Sequence, residues 1–327
     1  MVAIGILGTG TIAERAILGP AVSVPDVQVV AVGSRSVERA RSYAEEHGLG
    51  SWGDYEDLLS DPLVDVVYVT LPPTLHADWA IRALEAGKHV LCEKPLAGNE
   101  DQARAMVDAA RRSDRRLIEA FHYLHHPFAQ RVLDLIASGR LGTIERVDST
   151  FHIPKAVVKP GNIRLNSALG GGSVMDAGCY SIHFLRHGLG EPDVVAATAV
   201  LSVDDPQVDL GMSFELAFPV GVVAEVACSF LGERDGAEVV TRVQGAHGVL
   251  EVTSLPVPQW GGTLTVSTAD GQVVEESADP TPSYEYQLRH LVGVVRDGLP
   301  SSTEGADGLA NMRVVDDVYR AAGLHPR

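Results

Sequence analysis

Cysteine is scarce in this chain: three residues in 327, Cys92, Cys179 and Cys228, lie far apart with no Cys-x-x-Cys spacing. That excludes a disulfide-stapled secreted scaffold and a thiolate zinc site, and it fits a reducing cytoplasm. Basic residues are also in short supply, 26 Lys and Arg against 43 Asp and Glu, for a net charge of −17. A partner held by neutralising backbone phosphates, nucleic acid above all, is therefore disfavoured. The acidity comes without a long acidic block, so it reads as solubility. No uninterrupted apolar run approaches membrane-spanning length, and the first residues enter a strand at once, leaving no room for a signal segment. A soluble cytoplasmic protein with no membrane partner is expected.

What is present is an ordinary globular composition, 45% hydrophobic and 21% charged. The length suffices for two domains, each with its own core. Over the first third, short apolar strands alternate with helical patterns: strands at 2–7, 27–33, 64–70, 88–92 and 116–120, helices at 11–19, 36–47, 74–86 and 99–112. Such alternation predicts a doubly wound parallel sheet, a Rossmann fold, with all strand carboxyl ends on one edge. Beyond residue 121 the pattern becomes a helix, a strand, a Gly170-Gly171-Gly172 turn, a helix near 173–188, several strands in series and two closing helices. This predicts an α+β domain built on a large, mainly antiparallel sheet. The expected domains are 1–121, binding a dinucleotide, and 122–327, binding substrate and mediating oligomerisation.

The first strand runs into Gly8-Thr9-Gly10-Thr11-Ile12-Ala13. Gly8 permits the tight turn, Gly10 lets bare backbone approach a pyrophosphate, and Ala13 stands where helix and strand pack closely. The second strand ends in Ser34-Arg35, with Arg39 one helical turn on. An acidic residue there would take the ribose 2′-hydroxyl, whereas arginine and a small hydroxyl suit a 2′-phosphate, so NADP is favoured over NAD. The alternative is that both arginines are solvated surface residues. Near the next strand end, Leu71, Pro72 and His76 face the cofactor edge, where His76 either contacts the cofactor or makes a local hydrogen bond at a helix start.

The strand at 88–92 leads into Glu93-Lys94-Pro95. Here the chain resembles the Gfo/Idh/MocA family, named for glucose-fructose oxidoreductase and inositol dehydrogenase. The resemblance extends over essentially the whole chain. It includes the glycine turn, Ala83 to Val90 before the Glu-Lys-Pro motif, Gly170-Gly171-Gly172 with Asp176, and Asn311-Met312-Arg313. It implies that Glu93 and Lys94 lie at the cofactor, with Lys94 beside the nicotinamide and hydrogen-bonded to the substrate oxygen. A lysine so placed can polarise a carbonyl or hydroxyl and lower the pKa of a neighbouring acid.

Asp176 and Tyr180 are four residues apart and share a helix face. At the position of Tyr180 the family carries histidine in the inositol dehydrogenase branch. It carries tyrosine in branches resembling glucose-fructose oxidoreductase, xylose dehydrogenase and dimeric dihydrodiol dehydrogenase. The resemblance thus implies Tyr180 as acid/base, Lys94 as polariser, and Asp176 as orienting partner or substrate hydrogen bond. On the residues alone, Tyr180 reads as a buried aromatic and Asp176 as a helix cap. His122, Phe151 and Arg164 are candidate substrate contacts. The histidines at 122, 125 and 126, and those at 183 and 187, invite a metal reading, but no Cys or carboxylate completes a set at useful spacing and no metal is expected.

The expected activity is NAD(P)-dependent dehydrogenation or reduction at a CH–OH group, on a secondary alcohol or ketone of a sugar, sugar derivative or cyclic diol. The expected partners are a carbohydrate-like small molecule and further copies of the chain, as a homodimer or homotetramer. Two other readings stay open: a glycosidase or lyase that retains its dinucleotide, and a non-catalytic dinucleotide-binding sensor.

Overall fold

Short β-branched runs build the first sheet of the computed structural model, which describes residues 1–327. Its strands are β1 (Val2–Leu7), β2 (Val27–Gly33), β3 (Ser51–Gly53), β4 (Val66–Val69), β5 (His89–Cys92) and β6 (Leu117–Glu119), in the order β3-β2-β1-β4-β5-β6. Every pair is parallel, and the order reverses between β1 and β4. In open α/β sheets that switch point is where ligands bind. Ile4, Ile6, Leu7 and all of β4 are fully buried, as expected of strands covered on both faces. Burying each such side chain contributes about 1.5–3 kcal/mol before chain entropy is set against it.

The intervening helices are α1 (Gly19–Ala21, preceded by a π-helical Glu14–Leu18), α2 (Val37–His47), α3 (Tyr55–Ser60), α4 (His76–Glu85) and α5 (Glu100–Ser113). Their ends follow from local chemistry. The Ser36 side chain accepts from the Arg39 amide at 3.3 Å to start α2, Asp54 and Asp57 form a capping box on α3, and Asn99 caps α5. β3 and α3 were not expected from the sequence. Three and six residues are too short to carry a periodic signal, and α3 is held by Leu58 closing over Gly5 and Gly33, where a Cβ would meet Leu58 atoms at 2.8 and 3.0 Å.

The second sheet has eight strands: β7 (Ile144–Pro154), β8 (Asp193–Leu201), β9 (Asp209–Ala217), β10 (Val223–Gly232), β11 (Glu238–Gly245), β12 (Gly248–Thr253), β13 (Thr263–Thr268) and β14 (Val273–Ser277). The order is β14-β13-β12-β11-β7-β10-β9-β8. All neighbours are antiparallel except β7 with β10. Buried and exposed residues alternate along β10, so one face of that strand meets a core. Helices α6 (Pro127–Ala137) and α7 (Cys179–Leu189) belong with this sheet, α7 continuing a π-helical Val174–Gly178. The chain closes with α8 (Ser283–Asp297) and α9 (Gly305–Ala321).

The chain divides into two compact units, residues 1–122 with 284–312 and residues 123–283 with 313–327. A single boundary near residue 121 does not describe this, because the chain returns to its first unit. The physical reason is the apolar face of α8: Tyr284, Leu288, Leu291 and Val292 complete the cluster formed by Val2, Ile4, Ile6 and Ile17. No helix is long and apolar enough to cross a membrane.

Candidate active site

In the first unit the carboxyl ends of β1, β2, β4 and β5 form one edge. Gly8 donates to Gly33 O at 2.9 Å, Thr70 to Leu7 O at 3.1 Å and Glu93 to Val69 O at 3.0 Å, so the turns after these strands are tied to one another. Gly8 has φ +113°, and a Cβ there would meet Thr70 and Leu71 at 3.2–3.3 Å. At Gly10 a Cβ would lie 3.2 Å from Thr70 Oγ1. That hydroxyl is buried and has no hydrogen-bond partner in the protein. A bare backbone turn beside an unpaired buried hydroxyl fits an oxygen-rich pyrophosphate. Thr9 and Thr11 complete the turn, Ile12 opens the helix, and Ala13 is fully buried against the strand.

At the end of β2, Ser34 is buried while Arg35 and Arg39 are exposed. Burial pushes the Tyr55 phenol up in pKa; Arg35, which hydrogen-bonds it, and Arg39 pull it back. Tyr55 therefore joins the two arginines at this end of the sheet, a neighbour that the sequence pattern did not single out.

The Glu-Lys-Pro segment follows β5. Tyr68, fully buried in β4, donates its hydroxyl to Glu93. Burial first, then the Glu93 charge, holds that phenol well above its ordinary pKa, so it stays a donor. The Lys94 amide donates to the second Glu93 oxygen at 3.3 Å, and the Lys94–Pro95 peptide is cis. Glu93 is thus anchored in the strand layer while Lys94 stands at the carboxyl edge, partly exposed.

Histidine 76 does not project from this edge. Its ring is buried, with Nε2 2.7 Å from Leu71 O and Nδ1 3.0 Å from Pro95 O. It ties the Leu71-Pro72 turn to the residue after Lys94, and burial lowers its pKa. His122, expected at a substrate pocket, is also buried and packs its ring 3.9 Å from that of Tyr284. Cys92 lies on the same edge, but burial, with Glu119 and Glu93 nearby, raises its thiol pKa well above normal, so it is not a reactive thiolate.

The second unit gathers Tyr180, Asp176, Arg164 and Phe151. Tyr180 is 8% exposed, with the Phe151 ring 5.9 Å and the Tyr123 ring 5.8 Å from its own. Arg164 donates to both Asp176 oxygens, at 2.6 and 3.3 Å. The Asp176 charge, opposed by burial, raises the Arg164 pKa, and Tyr180 is close enough to add to the effect. Asp176 therefore pairs with Arg164, and the Ser173 side chain at the N-cap does not cap this helix. Sequence reasoning missed Tyr123 and weighed His183 only as a metal ligand; the Tyr123 hydroxyl and His183 Nδ1 are 2.7 Å apart, and the Tyr123 ring packs near that of Tyr180. His183 stands three residues beyond Tyr180, a spacing that could have tied it to that residue. Tyr123 offered no local signal.

Chemically, one unit presents a dinucleotide cradle with a lysine at its edge, and the other a tyrosine beside a carboxylate–guanidinium pair. Residues 2–121 match the family described as oxidoreductase family, NAD-binding Rossmann fold, and residues 129–251 match the GFO/IDH/MocA C-terminal domain. The chain is 38% identical over 324 residues to D-xylose 1-dehydrogenase (NADP(+)) 2 of Haloferax volcanii, covering 97% of this chain and 96% of that protein. Among solved structures it is similar to the aldose-aldose oxidoreductase of Caulobacter crescentus, with TM-score 0.89, 29% identity and coverage of 98% and 97% of the two chains. It is also similar to a 3-ketoreductase of Actinomadura kijaniata in complex with NADP and TDP-benzene, with TM-score 0.87, 30% identity and the same coverage. With both domains matched and the resemblance spanning almost the full length, the chain belongs to the Gfo/Idh/MocA family of NAD(P)-dependent oxidoreductases.

Proposed function

We propose that this oxidoreductase uses NADP and acts on a secondary alcohol, or the corresponding ketone, of a sugar or sugar derivative. The observation that carries the reading is the anchoring of Glu93 by buried Tyr68, which presents Lys94 at the same sheet edge as the Gly8–Gly10 turn and Thr70. The bound cofactor supplies or accepts the hydride. Gly8 to Ile12, Leu71 and Pro72 seat the pyrophosphate side of the dinucleotide, and Ser34, Arg35 and Arg39 take the 2′-phosphate. Lys94 polarises the substrate oxygen. Tyr180 gives or takes the hydroxyl proton, with Asp176 orienting the group through its pair with Arg164 and Phe151 forming an apolar wall. The names of the relatives support a sugar substrate: a xylose dehydrogenase and an aldose-aldose oxidoreductase, beside a 3-ketoreductase solved with TDP-benzene.

The test is absorbance at 340 nm over a panel of aldoses, nucleotide-linked ketosugars and dihydrodiols, with NADP and NAD in parallel. Lys94→Ala should abolish turnover while leaving cofactor binding detectable. Unchanged turnover would overturn the assignment, as would glycoside cleavage with no net change at 340 nm. Exposed Val195, Val200, Leu201 and Val223 on β8 and β10 leave apolar surface on the second sheet, and we read it as the face through which copies of the chain associate. Sedimentation of a monomer at micromolar concentration would contradict that.

A further inference from the structure

The helix bearing Asp176 and Tyr180 is entered through Gly170-Gly171-Gly172-Ser173, and this entry is bound to a charge that the chemistry above does not use. We propose that Arg327, through its pair with Asp209, is a positioning residue for the reaction: it fixes residues 171–174 and so the placement of Asp176 and Tyr180. The inference rests on Tyr180 acting as the acid/base group.

Asp209 is fully buried, and the Arg327 side chain is 2% exposed. All the donors to this carboxylate converge on the helix entry. Oδ1 accepts from Arg327 at 2.9 Å and from the Tyr319 hydroxyl at 2.9 Å. Oδ2 accepts from the Ser173 hydroxyl at 2.7 Å and from the Val174 amide at 2.9 Å. Arg327 also donates Nε–H to Gly171 O at 2.8 Å, and its guanidinium lies 4.1 Å from the Tyr319 ring centroid. Gly172 stands against the cluster at φ +133°, where a Cβ would come within 2.1 Å of Asp209 Oδ1.

The same turn reaches the other side of the site. The Gly172 amide donates to Arg164 O at 3.0 Å, and the Gly171 amide to Asn166 O at 2.9 Å. Arg164 is the residue that grips Asp176. One glycine turn therefore joins the Asp209–Arg327 pair to the Arg164–Asp176 pair. A buried ion pair is a poor source of net stability compared with apolar packing, so its contribution here is a definite geometry. Burial raises the pKa of Asp209 against the pull of Arg327, so loss of the guanidinium leaves a carboxylate that must shift or take up a proton.

A displacement of about 1 Å at a reacting group can cost on the order of 100-fold in rate. In the full-length protein, Arg327→Ala should keep the NADPH dissociation constant within about twofold and lower kcat at least tenfold, with a smaller change in KM. It should also speed amide exchange over residues 171–178, and Arg327→Lys should recover most of both effects. Should Arg327→Ala fail to fold, Arg327→Gln and Arg327→Lys supply the same comparison. Unchanged exchange over 171–178, or a kcat equal to wild type, would overturn the proposal. So would a loss of activity accounted for wholly by a lower folded fraction. Wild-type turnover by Tyr180→Phe would instead sink the acid/base reading, and the exchange measurement would still judge the positioning of the turn.

Discussion

Replacing each of the two turn glycines by alanine separates a backbone requirement from a ligand requirement. At Gly8 the backbone has φ +113°, a conformation that costs a residue with a Cβ about 1–3 kcal/mol. The added methyl would also meet Thr70 and Leu71 at 3.2–3.3 Å. Gly8→Ala should therefore lower stability whether or not cofactor is present. Gly10 has no such backbone constraint. Its nearest neighbour would be Thr70 Oγ1 at 3.2 Å, the far end of a side chain that can give by a few tenths of an ångström. Gly10→Ala should cost about 1 kcal/mol or less in the free protein. The methyl would nevertheless stand where a pyrophosphate meets bare backbone. Losing one hydrogen bond to a charged group is worth about 1.5–3 kcal/mol, a weakening of about 10- to 150-fold in dissociation constant. Thermal melts of both variants without ligand, with NADPH titrated by fluorescence, give both quantities. A Gly10→Ala protein that binds NADPH as wild type does would refute the placement of the pyrophosphate on this turn.

Two further outcomes follow from the same geometry. Arg35→Ala should weaken NADP by about 10- to 150-fold, the loss of one charge-assisted contact, while changing NAD much less; equal loss for both cofactors would contradict a 2′-phosphate contact. His76 is buried and its pKa is lowered from the ordinary 6.5, so on acidification the unfolded chain takes up this proton first. Stability should fall as pH drops below about 6.5, by up to about 1.4 kcal/mol per pH unit for the one proton, and level off below the folded-state pKa. Melting of wild type and His76→Asn between about pH 7.5 and 5 measures this, and parallel curves would exclude His76 as the source.

The glycine turn and the strand-helix alternation were legible because each depends on neighbours in sequence. Gly8 is needed by its own φ, and Val66–Val69 is a run of apolar residues buried as a strand. What the sequence concealed depends on pairing across long separations. The return of α8 to the first unit is written only in which core receives Leu288 and Leu291. The pairing of Arg164 with Asp176 was not legible, and His76 was legible as a helix-start histidine but not as the tie between Leu71 and Pro95. Asp209 and Arg327, 118 residues apart, carried no local mark at all.

This contrast bears on where substrate preference is decided. On the proposed reading the pyrophosphate seat is built from main chain and glycine, so changes of side chain alter it little unless they fill it. The environment of Tyr180 is built from side chains delivered by separate segments: Tyr123 at the start of its unit, Phe151 on β7, and Arg164 from the turns between β7 and the helix entry. Each can change size or charge without touching the cradle. Arg164 is the most constrained of them, because its charge pairs with that of Asp176, and an uncharged residue there would remove that neutralisation. Discrimination among sugars is therefore expected to track residues 151–169, with the glycine turn and the Glu93–Tyr68 anchor serving whatever ring is bound.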